Sequence, residues 1–386
     1  MTFILIYLSF AVAYVLFFAI ASKTKRKRPV LLQNKTQKVN FLYMIPAYKE
    51  DEVIVETAKN VVSQSDFGKE DEVVVIADQL KKETIQNLEK LGITVIEVFF
   101  DKSTKAKAIN RAMKALSLWG RKHDAVVLLD ADNQLVEGFI TKVKESFGAG
   151  NRIIQTHRIA KNIDTPMAKL DAFSEEINNS IFRLGHHNLG LSAALIGSGL
   201  VMEYDLFKNY LQKNDVVSGF DKQLELDIMQ DKLKIEYLED AYILDEKVRN
   251  AQVFETQRTR WIAAQLNFAK QNFVKAWVQL IRHGNLDFFN KVIQFFLPPR
   301  VILMGSLAIL MVFSLVFNYK FIEILLLNVG LLTALVLATP SFLLKTLNRN
   351  LLAELPIAFF RMTKAFLKIG NANKQFLHTP HGATHN

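Results

Sequence analysis

Three long apolar stretches limit what this chain can fold into. Phe3 to Ala21 and Val301 to Phe317 carry no charge, and Phe321 to Thr339 carries only Glu323. A helix needs about 20 apolar residues to cross a bilayer core. Buried core helices are the alternative, as is a cleaved signal peptide for the first stretch. A signal peptide has a basic amino-terminal region. Here Met1-Thr2 is neutral, and Lys23, Lys25, Arg26, Lys27 and Arg28 follow the apolar run. That order predicts a retained anchor with its amino terminus outside and its far flank in the cytoplasm. Residues 23–300 are then cytoplasmic and Asn318–Lys320 form an outer hairpin. The tail, with Lys345, Arg349, Arg361, Lys364 and Lys368, returns inside. The expectation is a multi-pass protein of the plasma membrane.

The formal charge of +10 comes largely from these flanks, which points to anionic lipid headgroups rather than nucleic acid. There is no cysteine, which excludes disulfides and thiolate metal sites.

Between the apolar stretches the pattern alternates. Val39–Pro46, Glu72–Ala77, Ile93–Phe100 and Ala125–Leu129 read as strands. Asp51–Gln64, Lys82–Leu91, Lys105–Trp119 and Val136–Phe147 read as helices between or behind them. Such alternation implies a doubly wound, parallel α/β sheet, whose ligands bind beyond the carboxyl ends of the strands. Further on, Asp164–Leu184 reads as helix and Leu195–Glu203 as a strand-like run broken at Gly197-Ser198-Gly199. Asp221–Leu233 reads as helix, Ile235–Leu244 as strand and Gln252–Ile281 as one long helix. Leu286–Pro299 and Leu343–Leu367 read as helices lying at a membrane surface.

Several polar groups fall where such a sheet binds ligands. Asp130 and Asp132 flank Ala131 directly after a strand, and two carboxylates so placed can hold a hard divalent ion with substrate phosphates. They could equally cap the next helix. Asp78 ends the second strand and could accept hydrogen bonds from a base or ribose, or act as an N-cap. Lys105 to Asn110 opens a helix whose free N–H groups and lysines suit a diphosphate, or simply face solvent. Asp221 starts an acidic helix and could serve as a general base, or cap it. In Gln257-Arg258-Thr259-Arg260-Trp261 the first, fourth and fifth positions share a helix face. That QxxRW face would present an amide, a guanidinium and an indole to an anionic or sugar-bearing ligand. Core packing of Trp261 and an ion pair at Arg260 are the plainer reading. His186-His187 point apart on a helix, and the sparse histidines 378, 381 and 385 suggest no chemistry.

In this order the motifs resemble those of the membrane-bound family 2 glycosyltransferases, which include the cellulose, hyaluronan and poly-N-acetylglucosamine synthases. Ile45-Pro46-Ala47-Tyr48-Lys49-Glu50 is similar to the family's opening IPAxNE, with Lys49 in place of Asn. Asp78 matches the aspartate that contacts the base, and Lys107 the lysine of a GKxxAIN-like segment that here lacks its glycine. Asp130 and Asp132 match the DxD, and Gly197-Ser198-Gly199 the small-residue segment near the acceptor. Asp221 matches the aspartate of TED, although Gly219-Phe220 replaces Thr-Glu. The QxxRW residues Gln257, Arg260 and Trp261 are intact.

The resemblance implies a GT-A type, mostly parallel sheet at 39–285, after an anchor at 1–22 and a basic linker at 23–38. An interfacial helix at 286–300, a transmembrane hairpin at 301–340 and a cytoplasmic amphipathic tail at 341–386 would follow. It implies inverting transfer from a nucleotide sugar, probed first with UDP-sugars, to a saccharide or lipid-linked acceptor. Mg²⁺ or Mn²⁺ would sit on Asp132. Pro46, Tyr48, Glu50, Asp78, Lys107 and Asp130 would bind the donor. Gly197, Ser198, Gly199, Gln257, Arg260 and Trp261 would bind acceptor and diphosphate, and Asp221 would be the base. Three spans are few for a polymer-extruding synthase, which leaves open a single transfer, or a pore completed by a partner subunit or second copy. A non-catalytic scaffold of the same outline is the rival reading. A transporter has no intramembrane charges to use beyond Glu323.

Overall fold

The computed structural model describes residues 2–24, 39–213, 219–249 and 251–367. Most of the basic linker at 23–38 and the tail beyond 367, with its histidines and Lys368, lie outside the described residues. The chain forms two compact units that cut across chain order. One comprises the described parts of 28–161 and 193–246, and the other those of 1–27, 162–192 and 247–373.

The first unit is built on an eight-stranded sheet of order β3-β2-β1-β4-β7-β6-β8-β5. β1 (Phe41–Tyr48), β2 (Glu72–Asp78), β3 (Thr94–Val98) and β4 (Ala125–Leu128) run parallel. Their apolar runs are continuous because both faces are covered. Phe41, Tyr43, Ile45, Val73, Val75 and Val127 are buried on one side with the helices Ile54–Val62 and Phe139–Gly148. β7 (Leu200–Glu203) then pairs antiparallel with β4 and with β6 (Ile153–Ala160). β8 (Glu236–Asp245) runs parallel to β6, and β5 (Gln134–Leu135) closes the edge. The doubly wound, mostly parallel expectation therefore holds for the first four strands, with a mixed second half.

The strand order reverses between β1 and β4, which opens a crevice at their carboxyl ends. Tyr48 and Asp78 are paired in register there. Lys49 and Gln79, the residues that follow, both adopt left-handed backbone conformations, with φ 57° and 59°. The two strands thus end in matched sharp turns rather than running on.

Gly197 and Gly199, with φ 80° and 62°, leave only Leu200–Glu203 as strand in the 195–203 run. β5 and β6 were absent from the sequence reading.

The second unit is helical. Its apolar helices Thr2–Ala21, Arg300–Phe317 and Phe321–Ala338 are long and apolar enough to cross a membrane. The first packs Leu8, Val12 and Val15 against Leu331 and Ala334 of the third. The stretch 164–184 is not one uniform helix. An α-helix, Pro166–Asn178, passes into a π-helix, Asn179–Gly185. A β-carbon on Gly185 would stand 2.3 Å from the Phe18 carbonyl oxygen, so only glycine allows this approach. His186 is buried, stacks on Phe18 at 3.7 Å and binds the Tyr14 hydroxyl at 3.0 Å, a structural role. Helices Leu286–Phe295 and Arg349–Leu367 occupy the two stretches expected at a membrane surface.

Candidate active site

Ala125–Leu128 is apolar and buried, and the chain leaves it in the turn that carries Asp130 and Asp132. Asn133 pins this turn. Its Oδ1 accepts the Asp130 N–H at 2.9 Å, and its Nδ2 donates to Asp245 at 3.1 Å. Asp132 is 2 % exposed, and its Oδ2 accepts the Glu246 N–H at 2.9 Å. Asp245 lies 3.5 Å from Arg158. Buried polar groups of this kind must be satisfied, and here they lock the carboxylate turn to the end of β8. Asp130 is the more open of the two, its side chain one-third exposed.

Helix Lys105–Leu118 is capped by Thr104, whose hydroxyl accepts the Lys107 N–H at 3.2 Å. Of the two lysines in its first turn, Lys105 is the one that meets the Asp130 turn. The Lys105 ammonium binds Asp130 and donates to the Gly197 carbonyl at 2.7 Å. Lys107 instead donates to the Lys102 carbonyl at 3.3 Å and lines a surface cavity with Phe99, Phe100, Asp101 and Lys102. The segment carries no glycine to separate the two lysines by sequence, and they point apart on the helix.

Gly197 brings the remaining group in. A β-carbon there would lie 3.6 Å from Asp221 Cβ and 4.0 Å from Lys105 Nζ. Asp221 stands in the first turn of helix Phe220–Gln230, which starts after Gly219 in a left-handed conformation, φ 78°. One turn on, buried Glu225 accepts the Leu195 N–H at 3.1 Å and ties this helix to the glycine loop. Asp130, Lys105, Gly197 and Asp221 therefore form one connected group. Ser198 is fully buried, with its hydroxyl 3.5 Å from Arg158, so it supports the loop from behind.

Asp78 closes the other side of the crevice, at the end of β2. It is 2 % exposed, and its Oδ1 has no hydrogen-bond partner. Burial pushes its carboxyl pKa up, partly offset by the Ser103 hydroxyl and the Lys49 charge. A buried, unsatisfied acceptor at a strand end is suited to an N–H of a ligand. Tyr48 lies 5.2 Å below the Lys49 ammonium. Pro46 lies within β1, and Glu50 is buried, its carbonyl starting the next helix through Val53 and Ile54.

Gln257, Arg260 and Trp261 belong to the helical unit, on helix Ala251–His283. The side chain of Gln257 lies outside the described residues. Trp261 is 39 % exposed, so it is not core packing. The guanidinium on its ring is Arg258, at 4.6 Å, which also pairs with Asp171. Arg260 is half-buried, and burial holds its pKa below the usual arginine range. The guanidinium stacked on Trp261 thus comes from the residue one turn before it.

Among the described residues no three acidic or histidine side chains cluster to hold a metal alone. An all-oxygen pair of carboxylates beside a lysine suits a hard cation that takes its other ligands from phosphates and water.

The sheet and its strand order are those of a GT-A glycosyltransferase fold. Residues 39–264, more than half of the chain, match the family model described as Glycosyltransferase like family 2, and the protein belongs to that family of transferases. No curated protein sequence matches it. Among solved structures it is similar to a mannosyltransferase from Pyrobaculum calidifontis in complex with GDP-Man and Mn2+. That match has 15% identity and a TM-score of 0.53, over 86% of this chain and 97% of that one. It is also similar to glucosyl-3-phosphoglycerate synthase from Mycobacterium tuberculosis in complex with Mn2+ and UDP-Glc. Here identity is 16% and the TM-score 0.42, over 63% of this chain and 84% of that one. At such identities the likeness is one of fold.

Proposed function

We propose that this protein is an inverting, metal-dependent glycosyltransferase. It moves a sugar from a nucleoside-diphosphate donor, first candidate a UDP-sugar, to a hydroxyl of a saccharide or lipid-linked acceptor at the membrane. The observation that carries this reading is that Lys105, which holds Asp130, also binds the Gly197 carbonyl, with Asp221 beside the same glycine. It sets a carboxylate, itself 3.9 Å from the Lys222 ammonium, beside a second cation and a DxD turn at the carboxyl ends of the strands.

In this reading Asp78 takes an N–H of the base, with Pro46, Tyr48 and Glu50 shaping that wall. Lys105 meets the diphosphate, and Lys107 stands at its edge. Asp132, with Asp130, would hold Mg²⁺ or Mn²⁺, which when bound neutralises diphosphate charge and eases departure of the leaving group. The acceptor hydroxyl attacks the anomeric carbon from the face opposite the diphosphate. A new C–O bond forms as the sugar–phosphate bond breaks, and the nucleoside diphosphate leaves with the electron pair. Asp221 takes the hydroxyl proton. Gly197 lines the acceptor side with Ser198 and Gly199 holding it from behind, and Gln257, Arg260 and Trp261 bind acceptor and diphosphate. The three apolar helices span the plasma membrane with the amino terminus outside and the sheet unit cytoplasmic, as the basic flanks suggest.

The test is nucleoside diphosphate release by detergent-purified protein with Mg²⁺ or Mn²⁺ and a panel of nucleotide sugars. One donor should be turned over by the wild type, and Asp132→Ala and Asp221→Asn should abolish transfer. Release from no donor, with membrane lipids supplied as acceptor, overturns the reading.

A further inference from the structure

We infer that Gln155 is a positioning residue of the transfer site: its carboxamide clamps the loop that holds Gly197 against Asp221 and Lys105. The inference rests on the proposed roles of those residues.

Gln155 lies on β6 and is fully buried. Its Oε1 accepts the Ile196 N–H at 3.2 Å, and its Nε2 donates to the Ser198 carbonyl at 2.9 Å. The amide therefore bridges the two residues on either side of Gly197. Nε2 also faces the Thr156 and Gly199 carbonyls at 3.2 and 3.4 Å, which fixes the donor end of the amide on this side. Thr156 completes the grip, its N–H and its hydroxyl each donating to the Gly199 carbonyl at 3.0 Å. What remains outward is the Gly197 carbonyl, which takes the Lys105 ammonium at 2.7 Å.

The residue type follows from the bonding. One end must donate and the other accept, which an amide does and a carboxylate or an apolar isostere cannot. A glutamate would keep the Ile196 bond and set an anion against the Ser198 carbonyl. A methionine fills the same volume and leaves both backbone groups unpaired. Gly197 is the point where loop position becomes chemistry, since its carbonyl takes the lysine and its α-carbon faces the proposed base. A misplacement of about 1 Å at a reacting centre costs about 100-fold in rate.

The experiment compares wild type, Gln155→Met, Gln155→Glu, Gly197→Ala and the double variant Gln155→Met/Gly197→Ala. Thermal unfolding establishes which are folded. Three quantities are read: kcat with the donor that wild type turns over, calorimetric binding of UDP or GDP with Mn²⁺, and amide exchange of Ile196. In a folded Gln155 variant kcat should drop by about 100-fold. Nucleotide binding should stay close to wild type, and the double variant should be far from additive. Ile196 exchange should rise in Gln155→Met and stay protected in Gln155→Glu. Wild-type kcat in either folded variant, additive effects, or unchanged Ile196 exchange in Gln155→Met overturns the clamp. A wild type without turnover, or Asp221→Asn with full turnover, instead overturns the underlying reading, and Ile196 exchange then still decides whether the clamp exists.

Discussion

Gly197 faces Asp221 across the space a side chain would occupy: a methyl on the glycine would stand 3.9 Å from the Asp221 carboxyl carbon. The glycine also holds φ 80°, which costs an L-residue about 1–2 kcal/mol. Gly197→Ala should therefore fold, bind nucleotide diphosphate, and lose transfer about tenfold or more as the loop shifts from Asp221. Steady-state kinetics beside calorimetry checks this. An unchanged kcat would remove the loop from the reacting centre.

Lys105 and Lys107 are two residues apart and should behave differently. Lys105 bridges Asp130 and the Gly197 carbonyl, whereas Lys107 is spent on the Lys102 carbonyl. Lys105→Met should lower kcat/KM for the donor by about 100-fold, the usual cost of one preorganised charge at a developing anion. Lys107→Met should stay near wild type. Equal losses would place both lysines on the diphosphate.

Asp78 sets binding against stability. Burial raises its pKa, so the folded chain holds that proton to higher pH than the unfolded chain does. Its contribution therefore favours the native state below the unfolded pKa and is lost as pH rises through the folded one. Asp78→Asn should raise Tm at about pH 7, and the gap should close towards about pH 4. The same variant should bind nucleotide more weakly, because a carboxylate with two acceptor oxygens becomes an amide with one neutral acceptor and a competing NH2 donor. Scanning fluorimetry across pH, with and without UDP, reads both. A lower Tm at neutral pH would mean that the carboxylate has a stabilising partner.

Gly185 tests the packing of the helical unit. With the Phe18 carbonyl 2.3 Å from where its β-carbon would be, Gly185→Ala must push the π-helix off the amino-terminal helix. The expected cost is on the order of 3 kcal/mol. A lower thermal midpoint in detergent and faster proteolysis would show it. Wild-type stability would mean that the contact is easily relaxed.

How much was legible depends on whether a residue's signal is local. The parallel strands could be read because burial on both faces demands unbroken apolar runs such as Val73 to Ala77. Asp78 and Asp130 could be read because a carboxylate at the end of such a run is conspicuous. β6 could not, since Gln155 and Thr156 look like solvent-facing residues until the Ile196–Gly199 loop is laid against them. β5 is only two residues long and exists through pairing with β8. The QxxRW pattern marked the helix, while Asp171, distant in sequence, decided that Arg258 stacks on Trp261.

Apolar length and strand–helix alternation, which are properties of neighbours in the chain, thus determined three apolar helices, a wound sheet and the strand ends where polar groups gather. Tertiary structure alone joined Lys105 to Asp130 and the Gly197 carbonyl, set Gly197 beside Asp221 and buried Asp132 beneath the Glu246 amide. Each of those outcomes depends on groups far apart in sequence meeting at hydrogen-bond or van der Waals distance, and no local propensity encodes such a meeting.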